Sequence, residues 1–254
     1  MRTVERHERI IEILRTTGRV EVSSLSKTLG LSEMTIRRDL KALEESGQLT
    51  RVHGGAVACD GTIIDLPLEI RKIENLSEKI KMAAAATELI QNHEAIALDA
   101  STSALELAKR LKGFSGLTVV TNNLMIALEL GRRTGVSTHL TGGNIRSRAM
   151  SLVGPAAVKS LLAYRVNKAF ISANAFSCEN GLTDASPEET EMKKAMMDIA
   201  QQVIALVDPS KFGRVAFMQV CPIERIDVLI TTAGAPEEEV ERLQEVGVKV
   251  IIAP

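Results

Sequence analysis

Residues 32–57 read SEMTIRRDLKALEESGQLTRVHGGAV, and the first half of this stretch predicts a helix. Ser32 is a favoured N-cap, and apolar residues follow it at the spacing of one helical face. These apolar residues are Ile36, Leu40 and Leu43. We expect them to face a core, and we expect the helix to end near Ser46, before Gly47.

The segments on either side of this helix complete a small domain. Two helices precede it, the second of them short, and they are predicted to end at Gly18 and Gly30. Their apolar positions are Ile10, Ile11, Leu14, Val22, Leu25 and Leu29. Two short strands, 49–52 and 56–57, follow it across a glycine turn. This order of helices and hairpin is that of a winged helix-turn-helix, which we assign to residues 1–57.

The side of the third helix opposite the apolar stripe is cationic. Arg38, Lys41 and Met34 point that way, and Arg37 and Thr35 flank them. Such a face suits the major groove of DNA, where Arg and Lys meet phosphates or guanine and Thr and Met meet base edges. An ordinary solvated helix face is the alternative, and the surrounding order of elements favours DNA. The predicted DNA-contacting residues are Ser32, Met34, Thr35, Arg37, Arg38, Lys41, His53 and Gly54.

The charge distribution supports DNA binding only weakly. The whole chain has a net charge of −1, whereas residues 1–57 hold ten Lys and Arg against eight Asp and Glu. The DNA-binding prediction therefore depends on where the cations lie and not on their number. Asp39 is adjacent to the cationic face, and we interpret it as an ion-pair partner that orients an arginine.

Composition and cysteine spacing exclude several classes of protein. The hydrophobic content of 45% and the charged content of 25% are those of a globular chain. Cys59, Cys178 and Cys221 are far apart and the histidines lack metal-type spacing, so we predict buried thiols, no metal and no cofactor. Because no apolar run approaches the roughly 20 residues that cross a bilayer, and the N-terminus lacks a signal peptide, we expect a cytoplasmic protein without a membrane partner.

Residues 77–254 predict an α/β domain, joined to the first by a linker at 58–76 that contains Gly61 and Pro67. Short apolar strands alternate with helices, which indicates a mostly parallel sheet covered on both faces. The predicted strands are 96–99, 117–121, 136–140, 166–173, 203–208, 227–231 and 248–253. The predicted helices are 102–111, 124–132, 188–201 and 237–245.

The first strand-to-helix turn of this domain reads Asp99-Ala-Ser-Thr-Ser. Backbone N–H groups at a helix N-terminus attract anions, and the hydroxyls of Ser101, Thr102 and Ser103 add donors. The turn therefore predicts a phosphate site at the carboxyl end of a parallel strand. Simple N-capping by Ser101 or Thr102 is an equally good interpretation of the motif by itself.

Polar residues also follow the other predicted strands. Each one by itself is consistent with a turn or a surface charge, but their shared placement predicts one convergent pocket. In such a pocket amides and carboxylates hold sugar hydroxyls, and Lys or Arg neutralises a phosphate. With the turn at Asp99, the candidate residues are Asn122, Asn123, Gly142, Gly143, Arg146, Asn174, Thr183, Asp184, Glu189, Lys193 and Lys211.

Residues 6–57 closely resemble the DeoR family of bacterial regulators, through the TIRRDL core, the ESG before the hairpin and the RVHGGA turn. The resemblance implies that Thr35, Arg37, Arg38 and the hairpin contact operator DNA. It continues through LVGP (152–155), GLT (181–183) and SKFG (210–213), and so covers nearly the whole chain.

For the second domain the resemblance implies a sensor that is similar to the sugar-phosphate isomerase fold. The family's phosphate loop commonly reads D-S-G-T-T, whereas this chain has Ser101 in place of the glycine. We therefore expect a homodimeric or homotetrameric regulator, usually a repressor of carbohydrate genes in this family. Its partners are double-stranded operator DNA and a phosphorylated sugar or related effector.

Two other functions remain open. The chain is alternatively a sugar-phosphate isomerase or related enzyme with a DNA-binding appendage, in which Asp184, Glu189 and Lys193 supply acid–base groups. It is alternatively a constitutive DNA-binding protein whose second domain only oligomerises. The leading prediction is a ligand-controlled regulator without catalytic residues.

Overall fold

The computed structural model describes residues 3–17, 19–46, 48–52, 54–57, 63 and 65–254. The chain divides into two compact units, Met1–Arg71 and Lys72–Pro254, which we call the N-terminal and the C-terminal unit. Five residues that figure in the sequence predictions lie outside the described residues: Gly18, Gly47, His53, Cys59 and Gly61.

The N-terminal unit is a winged helix-turn-helix, as predicted. Its elements are α1 (Thr3–Thr17), β1 (Arg19–Glu21), α2 (Val22–Leu29), α3 (Glu33–Glu45), β2 (Thr50–Val52) and β3 (Gly55–Val57). Gly30 ends α2 with a left-handed backbone (φ 66°), the conformation that glycine adopts without strain. The apolar stripe of α3 is buried as expected: Ile36, Leu40 and Leu43 are at most 1% exposed.

The sequence did not predict β1. This three-residue strand pairs with β3, so the hairpin becomes an antiparallel sheet of order β1-β3-β2. The pairing explains one glycine of the RVHGGA turn, because a Cβ on Gly55 would lie 1.9 Å from the carbonyl oxygen of Val20. Three residues are too few to show the alternation that identifies a strand in a sequence.

The C-terminal unit is a mixed α/β structure. Its first part contains α5 (Leu76–Thr87), β4 (Ala95–Leu98), α6 (Thr102–Arg110), β5 (Leu117–Thr121), α7 (Leu124–Leu130), β6 (Val136–Leu140), β7 (Asn144–Arg146) and β8 (Ser151–Val153). The rest contains α8 (Pro155–Leu161), β9 (Val166–Ile171), β10 (Ala175–Ser177), β11 (Gly181–Asp184), α9 (Pro187–Asp198), β12 (Ala200–Leu206), β13 (Met218–Cys221), β14 (Val228–Thr232), α10 (Glu237–Glu245) and β15 (Lys249–Ala253). A short helix, α4 (Leu68–Ile73), lies within the segment predicted as a linker and spans the boundary between the units.

Seven parallel strands form the main sheet, in the order β15-β14-β12-β9-β4-β5-β6. Both faces of the sheet are covered, since alternate residues of one strand enter different apolar clusters. Ile96 and Leu98 pack into one cluster and Ala97 into another. The predicted parallel sheet is confirmed.

The structure corrects several element predictions. The helix predicted for 188–201 ends at Asp198, because Ala200 already pairs with Val166 of β9 as the first residue of β12. The sequence did not predict the antiparallel sheet of order β10-β11-β13, the β7–β8 hairpin or α8. Each of these strands has only three or four residues. The strands β10, β11 and β13 are also mostly buried on both faces, so their sequences lack the alternation of apolar and polar residues that identifies a strand.

Candidate nucleic-acid interface and ligand site

The N-terminus of α3 carries two of the predicted DNA-contacting residues. Ser32 caps the helix by accepting a hydrogen bond from the backbone N–H of Thr35 at 3.2 Å, and the two hydroxyls lie 2.9 Å apart. Both side chains therefore fix the start of α3 while remaining at the surface. In a helix-turn-helix protein, the first residues of this helix contact the bases.

The cationic side of α3 faces away from the core, as predicted. Met34 is 79% exposed, Arg38 is exposed, and the side chains of Arg37 and Lys41 are 56% and 65% exposed. We call the exposed side of α3, together with the β2–β3 hairpin, the docking face. Arg51 of β2, which the sequence patterns did not single out, also belongs to it.

A crevice of about 280 Å³ separates α3 from the hairpin. Arg37 and Arg51 line it from opposite sides, together with Gly54 at the hairpin turn. Gly54 has a φ of +80° and open space beside its Cα, and its carbonyl accepts from the N–H of Val22 at 2.9 Å. Two guanidinium groups and an unobstructed backbone form a surface that suits a phosphate strand.

Asp39 lies in the interior of the N-terminal unit and not beside the docking face. Arg6 of α1 donates to both of its oxygens, at 2.5 and 2.8 Å, and His7 Nε2 lies 3.2 Å from Oδ1. Burial by itself would raise the pKa of Asp39, but hydrogen bonds from Arg6 and His7 hold it below its ordinary value. The predicted ion pair with an arginine is confirmed, and it joins α3 to α1.

In the C-terminal unit, the polar residues gather where the parallel sheet reverses its strand order. From β4 the chain continues to β5 and β6 on one side, whereas β9 lies on the other. Asp99 follows β4 at this point, and its carboxylate bridges the ends of β4 and β9. It accepts hydrogen bonds from the backbone N–H groups of Ser101, which follows β4, and Ser172, which follows β9, each at 3.0 Å. Open parallel sheets bind ligands in the crevice at such a switch point.

A buried lysine connects two of the predicted carboxylates. Lys193 of α9 donates to Asp184 and lies 3.6 Å from Asp99, and all three side chains are at most 7% exposed. Burial disfavours the ammonium form, but the charges of Asp184 and Asp99 outweigh it and raise the pKa of Lys193. Three predicted site residues therefore form one cluster, in which Asp99 comes from a part of the chain distant from the other two.

Glu189 lies one helical turn before Lys193 and meets the β7–β8 hairpin. It accepts a hydrogen bond from Ser151, and Arg146 Nη1 lies 3.6 Å from the same carboxylate oxygen. Burial raises the pKa of Glu189, an effect that Ser151, Lys193 and Arg146 offset in part. Ser151 carried no signal in the sequence patterns, because only the hairpin brings it to α9.

Three buried oxygens near these residues have no hydrogen-bond partner within the described part of the chain: Asn122 Oδ1, Thr141 Oγ1 and Glu189 Oε2. Asn122 follows β5, Thr141 follows β6, and Ser151 is bridged to Asn123 beside them. Buried polar atoms in folded proteins normally have a partner. These acceptors therefore mark a place that a hydroxyl-bearing ligand can satisfy.

Several of the other predicted residues stabilise the starts of helices. Ser101 caps α6 by accepting from Ala104 N–H at 3.0 Å, and Thr102 and Ser103 are buried in its first turn. Asn123 caps α7 and also donates to Ala149, so both ends of its amide are engaged. The capping interpretation is thus correct for Ser101, whose hydroxyl hydrogen remains available to a ligand.

The remaining candidates lie at the edge of this region or outside it. Asn174 accepts from Ala185 N–H beside Asp184, whereas Thr183, the neighbour of Asp184 in β11, accepts from Ala216 on the other side of the strand. Gly142 and Gly143 form the turn after β6. No hydrogen bond or ion pair of the described residues joins Lys211 to the Lys193 cluster.

Cys178 and Cys221 are buried, as predicted. Burial raises the pKa of Cys178 to about 12 and that of Cys221 to about 11, which favours the protonated thiol over the nucleophilic thiolate at neutral pH. Over the described residues, no helix is both long and apolar enough to span a bilayer.

A winged helix-turn-helix joined to a parallel α/β unit with a buried polar site defines a class of transcription regulators with a sensor domain. Residues 6–62 match the DeoR-like helix-turn-helix domain, and residues 74–233 match the DeoR C-terminal sensor domain. The chain belongs to the DeoR family of transcriptional regulators.

Relatives along the whole chain bear similar names. The uncharacterized HTH-type transcriptional regulator YulB of Bacillus subtilis is 36% identical over 100% of this chain and 98% of its own. The HTH-type transcriptional regulator GolR of Listeria innocua is 38% identical over 98% of each chain. A putative aga operon transcriptional repressor of Escherichia coli O157:H7 is 34% identical over 98% of this chain and 94% of its own.

The solved structures that match this chain are more distant. Ribose 5-phosphate isomerase A from Methanocaldococcus jannaschii has a TM-score of 0.39 and 19% identity, covering 54% of this chain and 55% of its own. eIF2B delta from Chaetomium thermophilum has a TM-score of 0.46 and 15% identity, covering 63% and 57%.

Proposed function

We propose that this regulator binds operator DNA through the docking face and that a phosphorylated sugar in the C-terminal unit controls its DNA affinity. The observation that carries the proposal is the cluster at the switch point, where Lys193 joins Asp99 and Asp184 beside the start of α6. A ligand controls DNA affinity by binding more tightly to one arrangement of the protein than to another.

The two halves of such a ligand have different partners in this site. The N–H groups and hydroxyls of Thr102 and Ser103, at the positive end of α6, suit a phosphate, and Arg146 supplies a cation. The unpartnered oxygens of Asn122 and Glu189 suit sugar hydroxyls, which can donate to them. We place Gly142, Gly143, Asn174 and Lys211 at the rim of this pocket.

The two ion pairs of Lys193 argue against this residue as the general base of an isomerase. A general base must be free to take a proton, whereas Lys193 is held between two aspartates with a raised pKa and stays charged at neutral pH. We therefore propose a sensor without turnover. A steady-state assay with sugar phosphates tests this, because isomerisation that Glu189→Gln abolishes would establish an enzyme.

One relative is named a transcriptional repressor, which supports repression, and not activation, as the action of this chain. We also propose a cytoplasmic homodimer or homotetramer, since a symmetric assembly matches an operator built of repeated half-sites.

The direct test is fluorescence anisotropy of the full-length protein on DNA from upstream of its own gene, with and without a panel of sugar phosphates. Tight binding that one sugar phosphate weakens supports both parts of the proposal. Binding that no sugar phosphate changes, together with an unchanged melting temperature, contradicts the sensor assignment and favours a constitutive DNA-binding protein.

Arg38→Ala should weaken operator binding by about 1–3 kcal/mol, or roughly 5- to 150-fold. Arg38 is an exposed cation of the docking face, so its loss removes a base or phosphate contact. Arg9→Ala is the control, because Arg9 is also exposed, lies on α1 outside the docking face and is paired with Glu12. Equal effects of the two substitutions would show that the docking face is wrong.

A further inference from the structure

Glutamates accompany the cations of the docking face. Glu33 accepts a hydrogen bond from Arg37 at 3.3 Å, and Glu45 lies 3.7 Å from the ammonium of Lys41. Glu44 lies 3.7 Å from the guanidinium of Arg51 and accepts from the backbone N–H of Arg51 at 2.9 Å. In the described part of this face, three carboxylates therefore accompany four cations, and only Arg38 lacks a carboxylate partner.

Fold stability does not account for all three glutamates. Every side chain in these pairs is between 40% and 66% exposed, and such exposed ion pairs add little to stability. Glu33 is in the first turn of α3, where a carboxylate is favoured, but Glu44 and Glu45 end the helix, where the helix dipole disfavours one. The order of Lys41 and Glu45 is also the weaker orientation of an i,i+4 pair.

These carboxylates oppose the contact that DNA of any sequence offers. Binding to arbitrary DNA comes almost entirely from Lys and Arg neutralising phosphates. The carboxylates beside Arg37, Lys41 and Arg51 repel a phosphate, and each of these cations must give up its ion pair to reach one. At an operator, contacts with base edges add to the phosphate contacts, and an arginine held by a carboxylate presents a fixed guanidinium to the base.

We propose that Glu33, Glu44 and Glu45 are specificity-determining residues, which weaken binding to arbitrary DNA more than binding to the operator. This inference rests on the proposed DNA-binding function. It also gives a reason for the small charge excess of the N-terminal block, in which ten Lys and Arg stand against eight Asp and Glu. Discrimination against wrong partners by unfavourable charge is a general device of specific interfaces.

The test is the triple variant Glu33→Gln/Glu44→Gln/Glu45→Gln of the full-length protein. Anisotropy is measured on the operator fragment and on a duplex of random sequence and equal length, across a range of about 50 to 200 mM salt. Glutamine keeps the size of each side chain and the acceptor that Glu44 offers to Arg51. We expect affinity for the random duplex to rise by roughly tenfold or more and the ratio of operator to random affinity to fall by roughly threefold or more. The salt slope on random DNA should become steeper by about one for each additional phosphate that the variant neutralises.

The control variant is Glu238→Gln/Glu241→Gln/Glu245→Gln, which makes the same charge change on α10 of the C-terminal unit. It should leave the affinity ratio unchanged. An equal rise on both DNAs, an equal response of the control, or no change on the random duplex would overturn the inference. If the wild-type protein itself prefers no sequence, the proposed function fails instead. Thermal unfolding followed by circular dichroism verifies that both variants fold.

Discussion

Lys193→Met should destabilise the C-terminal unit by about 3–5 kcal/mol, the usual cost of removing one partner of a buried ion pair. The substitution leaves Asp99 and Asp184 buried without their cation, at 1% and 6% side-chain exposure. For a unit of this size the loss corresponds to a decrease of roughly 6–20 °C in melting temperature. Differential scanning calorimetry of the full-length protein measures it.

The neighbouring lysine provides the control. Lys194 is 43% exposed and lies 3.7 Å from Glu191, so Lys194→Met removes the same charge at a cost within about 0.5 kcal/mol. Equal losses of stability in the Lys193→Met and Lys194→Met variants would contradict the buried cluster.

Asp39→Ala should destabilise the N-terminal unit by about 3–5 kcal/mol and reduce DNA binding in proportion to the unfolded fraction. Arg6 is 6% exposed, so the substitution leaves a guanidinium buried without a carboxylate. The double substitution Arg6→Met/Asp39→Leu should recover most of the loss, because an apolar pair of similar volume needs no charge compensation. Urea unfolding followed by circular dichroism measures all three proteins.

The pH dependence of this ion pair has a definite sign. The pKa of Asp39 is held below its ordinary value, so its contribution is complete above the unfolded pKa of about 3.9 and is lost as pH falls through the lower folded pKa. The wild-type protein should lose more stability below about pH 4 than the apolar double variant does. Glu12→Ala, in the exposed pair with Arg9, should cost less than about 1 kcal/mol. If Asp39→Ala lowers the free energy of unfolding by no more than Glu12→Ala does, the buried Arg6–Asp39 ion pair is contradicted.

Most of the N-terminal unit could be predicted because its signals are local. The cap at Ser32, the left-handed Gly30 and the apolar stripe of α3 each depend on residues within one or two helical turns. The strand β1 was missed because its pairing with β3 joins segments that are distant in the chain. Its three residues carry no pattern of their own.

The candidate ligand site was predictable only in part. Polar residues at strand ends indicated that several of these side chains would meet at one edge of the sheet, because parallel strands end on the same side, and Asp99, Asp184 and Lys193 do meet. The sequence could not separate Asn123, whose amide caps α7, from Asn122, whose carbonyl oxygen has no partner in the described chain. It could not reveal Ser151 either, since the β7–β8 hairpin alone brings this hydroxyl to Glu189.

The sequence by itself determined the two-unit plan, the helix-turn-helix with its hairpin, the alternating strands and helices, and the family. All of these follow from spacings and motifs within short stretches of chain. Only the tertiary structure decided which charges meet: Asp39 with Arg6 and not with an arginine of the docking face, and Lys193 with both Asp99 and Asp184. The physical reason is that an ion pair between distant residues depends on the path and register of every element between them, which no local pattern encodes.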